Sequence, residues 1–440
     1  MPYAQKIGPL LVPARNSITC VVMAVAAVVA SAHGSERMSA AMGTIRSTDA
    51  GRHVATLADD TFEGREGGSR GGRAAATYIV EQLTAMGVPP AGDSGSYYQP
   101  LGGLRNILAI LEGSDPDLSH EVVVVGAHYD HVGYGNARNS YGPFGFVHNG
   151  ADDNASGVAG LLEVVEALQH LPERPRRTIL IAFWDGEEKG LLGSRHFIRT
   201  RPASLAGREL VLFLNLDMIG RLRGERLEVY GSRTAHGLRE MVVQANSRPA
   251  NAANLGLTFV WDIEEDSDHY PFIVARIPTV MFHTGLHDNY HRPSDDVHLV
   301  NLSGIEPIAR LTFGFVTAAA NDPSPLPGFR DQGRSESNAT RHRIEAAVPD
   351  ASGTPRGRWG LGTRHDPGEP SLPVVVRVWR DSPASQAGVR TGDRIIAIDD
   401  ARIASQDDML ARLKDAEATT YLDVERQGRI VRLVLHAPAP

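Results

Sequence analysis

Between residues 50 and 320 the sequence alternates unbroken apolar runs with longer amphipathic stretches. The runs are EVVVVGA at Glu121 to Ala127, TILIAFW at Thr178 to Trp184, Glu209 to Leu216 and Pro278 to Phe282, with an earlier one at Arg105 to Leu111. Runs this short and this apolar read as strands covered on both faces. Ser156 to Leu171 and Lys189 to Thr200 read as helices between them, and Gly71 to Met86 as one upstream. Doubly buried strands separated by helices specify an α/β fold: a mostly parallel mixed sheet flanked by helices.

Five short motifs end or follow these runs: Gly126-Ala127-His128-Tyr129-Asp130, Gly150-Ala151-Asp152-Asp153-Asn154, Asp185-Gly186-Glu187-Glu188, Asn215-Leu216-Asp217 and Asn289-Tyr290-His291. His128 follows four valines and Gly126-Ala127, at the strand end where open α/β sheets bind ligands. Asp130, two residues on, is placed to fix the tautomer of that imidazole. Asp152 and Asp153 precede a helix, and two adjacent acids exceed what an N-cap requires; one of them is expected to bridge two metal ions. Glu187 and Glu188 follow Trp184 on a tight turn, where neighbours point to different targets, one to metal and one to water. Asp217 ends an apolar run, where a carboxylate is costly unless paired or metal-bound. His291 lies in a polar loop, with His283 and His287 as nearby rivals. Imidazole and carboxylate donors without thiolate suit Zn²⁺, with Mn²⁺ or Co²⁺ next. Such a set implies metal-assisted attack of water on an acyl or phosphoryl centre.

The chain has 440 residues, enough for two or three domains. A formal net charge of -8 and the lack of a basic stripe argue against nucleic acid as a partner. Residues 1–32 read as a signal peptide. Lys6 and Arg15 give a positive start, Ile18 to Ala30 is apolar, and Ala30-Ser31-Ala32 is a small-x-small cleavage site. The apolar run is too short to span a bilayer comfortably, so the mature chain is expected to carry no membrane anchor and to be exported, to the periplasm or beyond. The one cysteine, Cys20, lies inside that run. A cysteine-free mature chain holding metal through His and carboxylate suits an oxidising compartment. A main unit is expected over 33–322, a flexible linker rich in Pro, Ser, Gly, Arg and Asn over 323–356, and a second compact unit over 357–440.

The motif set resembles the co-catalytic di-zinc aminopeptidases, whose relatives include glutamate carboxypeptidase and the glutaminyl cyclases. The resemblance spans roughly residues 50–320 and includes Phe62-Glu63-Gly64-Arg65, Gly68 and Asn106-Ile107. It implies two Zn²⁺ ions per chain in a zinc exopeptidase fold. Asp153 would be the bridging carboxylate, with His128 and Asp217 on one ion and Glu188 and His291 on the other. Glu187 would be the general base, Asp130 the partner of the first histidine, and Tyr290 a group that helps stabilise the oxyanion. It also implies a cis peptide at Asp153-Asn154. Ser267-Asp268-His269 matches a further family stretch without a firm role. The implied substrates are peptides with a free N-terminus. Carboxypeptidase specificity, which needs basic side chains in the pocket, and glutaminyl cyclase chemistry, which typically uses one zinc, are alternatives on the same scaffold. There is no room before Asn106 for the protease-associated domain that family members often carry, and the glycine-rich stretch between His128 and Asp153 (GYGNARNSYGPFGF) is long enough to reach over a substrate cleft.

The C-terminal unit resembles a PDZ domain of the bacterial protease type. Trp359-Gly360-Leu361-Gly362 opens it, followed by Val374 to Trp379, Asp381-Ser382-Pro383-Ala384, Ala387-Gly388-Val389 and Gly392-Asp393-Arg394-Ile395-Ile396-Ala397-Ile398. A second helix is expected over Ser405 to Asp415 and a closing hairpin over Tyr421 to Leu435. The amides of the Gly360-Leu361-Gly362 loop would receive a peptide C-terminus, added as a strand. A packing module without a ligand, or a non-catalytic binding protein built around this unit, are the alternatives. As a self-contained unit it is expected to be separable from hydrolysis.

Overall fold

The computed structural model describes residues 38–349 and 357–437. The expected signal peptide lies outside the described residues. Among those described, no helix is long and apolar enough to cross a membrane.

Eight strands form the main sheet: β1 (Tyr98–Leu101), β2 (Leu104–Leu111), β3 (Glu121–His128), β4 (Thr178–Trp184), β5 (Glu209–Leu216), β6 (Arg226–Tyr230), β7 (Gly256–Phe259) and β8 (Thr279–His283). Their order is β1-β2-β4-β3-β5-β8-β6-β7. The central strands β4, β3, β5 and β8 run parallel, and β6 and β7 run parallel to each other. The pairs β1/β2, β2/β4 and β6/β8 are antiparallel. The sheet is therefore mixed and mostly parallel at its centre, as the apolar runs require.

The reason lies in the side chains. All of Thr178–Trp184 is buried, as is Val122–His128, so both sheet faces must be covered. Helix Gly157–Gln169 buries nearly its whole length in the core, and helix Leu302–Asn321 most of its residues. The helix over Leu302–Asn321 has no counterpart among the expected elements. Smaller aromatic packing, Trp184 with Phe197, Phe213 and Phe272, closes a second cluster. A parallel sheet of this kind gathers the ends of β3, β4, β5 and β8 on one edge, and all five motifs lie there.

The C-terminal unit has strands β9 (Leu361–Arg364), β10 (Val374–Val378), β11 (Arg394–Ile398), β12 (Ala401–Arg402), β13 (Thr419–Arg426) and β14 (Arg429–His436), with helices Pro383–Gln386 and Gln406–Asp415. The sheet runs β14-β13-β11-β10-β9, so β9 is an outer strand. Its own core includes Trp359, Val375, Ile395, Met409 and Leu422.

This unit packs tightly against the main one. Asp366, fully buried, sits between Arg233 and Arg394, with one oxygen 2.8 Å from each guanidinium. Arg239 pairs with Glu425 at 2.8 Å. The turn of the β13–β14 hairpin meets the outer strand of the main sheet, where the Leu257 N–H donates to the Gln427 carbonyl at 2.8 Å.

The stretch whose composition suggests a flexible linker carries structure in its described part. A turn spans Asp331–Arg334 and a helix spans Asn338–Glu345. Arg330 pairs with Glu336 at 2.6 Å, and Arg177 donates to the carbonyls of Asp322 and Ser324. Polar composition alone reads as solvated, but here the partners of those charges lie elsewhere in the chain.

Candidate active site and metal centre

His128 is the last residue of β3, Asp217 follows β5, Glu187 and Glu188 follow β4, and His291 lies in the loop after β8. Asp153 stands in the turn that enters helix Gly157–Gln169, and its peptide bond to Asn154 is cis, as the resemblance implies. That turn begins at Gly150 with φ +54, and a Cβ there would lie 2.1 Å from the Asp153 carbonyl oxygen, so only glycine fits.

The five side chains converge. His128 Nε2 lies 3.3 Å from Asp153 Oδ1 and 3.3 Å from Asp217 Oδ1. His291 Nε2 lies 3.1 Å from Asp153 Oδ2 and 3.1 Å from Glu188 Oε2. Asp153 thus turns one oxygen toward each pair. The donor atoms of His131, Asp153, Glu188 and His291 lie within 4.8 Å of one another, as do those of His128, Glu187 and Asp217.

These residues fit metal. His291 Nε2 is buried without a hydrogen-bond partner although two carboxylates lie 3.1 Å away. A ring nitrogen aimed between carboxylates is a ligand arrangement, and three clustered buried acids need a cation.

The electrostatics follow from burial. Burial pushes the Glu187 carboxyl well above the ordinary range, Glu188, Asp268 and Asp217 push the same way, and His128 opposes them. Burial alone would raise Asp153 too, but His131, His128 and His291 outweigh it and hold it well below.

Asp130 is placed differently from the expectation. The ring nitrogen His128 Nδ1 lies 3.1 Å from the Asp130 backbone carbonyl, whereas the carboxylate is 3.8 Å away. That carboxylate instead accepts the Glu187 backbone N–H at 3.0 Å. The residue still orients the histidine, through its main chain, and its side chain holds the Glu187 turn. Tyr290 stacks on His291, with ring centroids 3.9 Å apart, and both line the cavity. The rivals take other places: His287 Nε2 lies 3.1 Å from Asp152 Oδ2, and His283 ends β8 against the Gly285 N–H.

His131 and Asp295 have site contacts that the sequence did not single out, and Ser267, Asp268 and Arg65, named in the resemblance without a role, have site contacts too. His131 Nδ1 lies 2.8 Å from Glu188 Oε1 and 3.6 Å from Asp153 Oδ2. Its signal was its place directly after Asp130, at the end of the same motif. Asp295 accepts the N–H groups of both Asp152 and Asp153 at 3.0 Å. Ser267 donates to Asp217 Oδ2 at 2.5 Å and takes Asn215 Nδ2 at 2.8 Å, which gives the serine of Ser267-Asp268-His269 a role. Asp268 of that stretch accepts from Ser194 at 2.5 Å. Arg65, fully buried, donates to the carbonyls of Leu57, Tyr129, Asn149 and Gly150 and so ties the motif strands together.

The glycine-rich stretch after His128 folds back on the site. The Tyr141 N–H donates to the His291 carbonyl at 3.1 Å, as the Ser140 hydroxyl does at 3.0 Å. The cavity of 380 Å³ is lined by His128, Asp153, Glu187, Asp217, Tyr290 and His291, and on its walls by Val260, Asp262, Glu264, Asp266, Met218 and Met281. No lysine or arginine lines it among the described residues.

Residues 106–316 match Peptidase family M28, and residues 360–435 match the PDZ domain. Leucine aminopeptidase 1 of Trichophyton rubrum is 27% identical over 271 residues, 57% of this chain and 68% of that protein. A probable zinc metalloprotease of Pyrenophora tritici-repentis is 35% identical over 152 residues, 34% of this chain but only 30% of its own length. The fold is that of the LapA aminopeptidase of Legionella pneumophila, with a TM-score of 0.55 at 17% identity over 66% of this chain and 76% of that one. Across residues 106–316 the chain is thus similar to peptidases of family M28, and across 360–435 to PDZ domains.

Proposed function

We propose that this chain is an exported, zinc-dependent aminopeptidase that holds two zinc ions and removes N-terminal residues from peptides. The observation that carries the reading is the placement of Asp153, one oxygen toward His128 and Asp217, the other toward His291 and Glu188. His128, Asp153 and Asp217 would hold one ion, and Asp153, Glu188 and His291 the other. When bound, the two ions supply Lewis-acid polarisation of the scissile carbonyl and activation of water.

The chain's own residues do the rest. Glu187 takes the proton from the attacking water and gives it to the leaving amine. Asp130 fixes the turn that carries Glu187 through the N–H bond at 3.0 Å. Ser267 orients Asp217, and Tyr290, stacked against His291, presents its hydroxyl as an oxyanion donor. A cavity rich in carboxylates and free of lysine and arginine suits an α-ammonium group and disfavours a terminal carboxylate. That disfavours carboxypeptidase specificity. Retention of both donor pairs disfavours a one-zinc cyclase.

Export rests on the N-terminal charge and apolar pattern. The PDZ unit would receive a peptide C-terminus at Gly360-Leu361-Gly362, where the outer strand β9 begins.

The test is a panel of amino-acyl amides and N-blocked peptides, assayed with zinc content measured. Free-amine substrates are expected to be cleaved with about two zinc ions per chain. Equal rates on N-blocked peptides, or hydrolysis without metal, overturn the reading.

A further inference from the structure

The cavity wall from Val260 to Asp266 joins β7 to helix His269–Val274. Its last ladder bond is Val260 N–H to the Val229 carbonyl at 2.9 Å. Among the described residues, no backbone–backbone hydrogen bond fixes Trp261 to Asp266. An unladdered segment of this kind takes its position from whatever side chains hold it.

Those side chains come largely from the stretch before the PDZ unit. Asn338, at the start of helix Asn338–Glu345, makes three contacts with the wall. Its amide oxygen accepts the Trp261 N–H at 3.3 Å. Its backbone N–H donates to Asp262 Oδ1 at 3.3 Å, and its side-chain NH₂ donates to Asp262 Oδ2. The Arg341 guanidinium on the same helix donates to the Phe259 carbonyl. Arg233 lies over the Trp261 ring, 3.9 Å from its centroid, and is held there by Glu336 at 2.6 Å and Asp366 at 2.8 Å. Farther along, Arg195 pairs with Glu265.

We propose that Asn338 is a positioning residue of the substrate cavity, and that the segment joining the two domains is thereby a built part of the peptidase site. Asp262 lines the cavity and Asn338 does not. The asparagine therefore acts through Asp262 and Trp261. It fixes where the wall carboxylate stands when substrate enters. None of the metal-ligand candidates contacts Asn338, so its loss acts on substrate binding and leaves the metal set intact. This inference rests on the aminopeptidase reading of the cavity.

The experiment uses the full chain loaded with zinc and a substrate with an uncharged side chain, leucine amide. Asn338→Ala is expected to raise KM about fivefold, the worth of one ordinary hydrogen bond, with kcat within twofold and zinc content unchanged. Asp262→Ala, which removes the wall carboxylate itself, is expected to raise KM at least as far, and adding Asn338→Ala to it is expected to raise KM little further, since the asparagine acts through that carboxylate. An unchanged KM in Asn338→Ala overturns the proposal. So does a loss of kcat and zinc in step with KM, or a full further rise in KM when Asn338→Ala is added to Asp262→Ala. Wild-type protein that fails to cleave leucine amide at all speaks against the aminopeptidase reading and is separate from these outcomes.

Discussion

Asp130 Oδ1 accepts the backbone N–H of Glu187 at 3.0 Å, which couples the motif at the end of β3 to the turn at the end of β4. The carboxylate of Asp130 is fully buried and its other oxygen has no hydrogen-bond partner. One residue therefore sets the position of the candidate base with its side chain and the orientation of His128 with its carbonyl.

Glu187→Gln keeps the size and removes the proton carrier. Turnover is expected to fall by about 10² to 10⁴, with zinc content near that of the wild type. Metal analysis alongside kcat decides this. Full activity would show that another group carries the proton.

Asp130→Ala leaves the Glu187 N–H without its acceptor and so loosens the turn that carries Glu188, while the main-chain carbonyl facing His128 stays. Removal of the group that orients a ligand typically costs 10- to 100-fold in metal affinity. Competition against a chelator of known strength should show that loss. Zinc binding equal to that of the wild type would mean that the turn holds itself.

Chelation is expected to stop hydrolysis and to lower the melting temperature. Asp153 and Glu188 belong to one group of possible ligands and Asp217 to the adjoining one, so buried carboxylates on both sides of His128 gain a countercharge when cations bind. Zinc bound only by the folded chain adds about 2.7 kcal/mol at a hundredfold excess over its Kd. Scanning calorimetry across a zinc titration should show the midpoint climbing with concentration. A midpoint indifferent to zinc would argue against a metal centre here.

How far the sequence reaches is visible in particular residues. β4 and β5 agree with the apolar runs at both ends, because strands buried on both faces leave few polar positions to blur their limits. His128, Asp153, Glu188, Asp217 and His291 come together because each lies at or beyond the end of a parallel strand or enters a helix on the same edge. By contrast β7 has only four residues, too few for a periodicity, and so the Val260–Asp266 wall had no visible anchor. Its partner Asn338 lies 76 residues away in a stretch whose polar composition suggests a solvated linker. His131 resembles a solvated strand-end residue until Glu188 is placed beside it. Long-range polar pairing of this kind leaves no local pattern. The same holds for the seam between the domains, where the charges that appear solvent-exposed in sequence are buried against each other.

Asp366 shows what that seam contributes. Burial alone would raise its pKa, but Arg394 and Arg233 outweigh burial and hold the carboxyl at about 2. Its folded value lies below the unfolded value of about 4, so its contribution to stability is fully present above pH about 4. That contribution is lost as pH falls toward 2. The shift corresponds to about 2 kcal/mol. Asp366→Asn leaves two buried guanidiniums short of a countercharge and is expected to destabilise by about 3–5 kcal/mol at pH 7. Denaturant melts of both proteins from pH 7 to pH 2.5 test this. The gap between them should be widest at neutral pH and narrow below pH 4. A gap that stays constant to pH 2.5 would show that Asp366 is not held ionised by its two arginines.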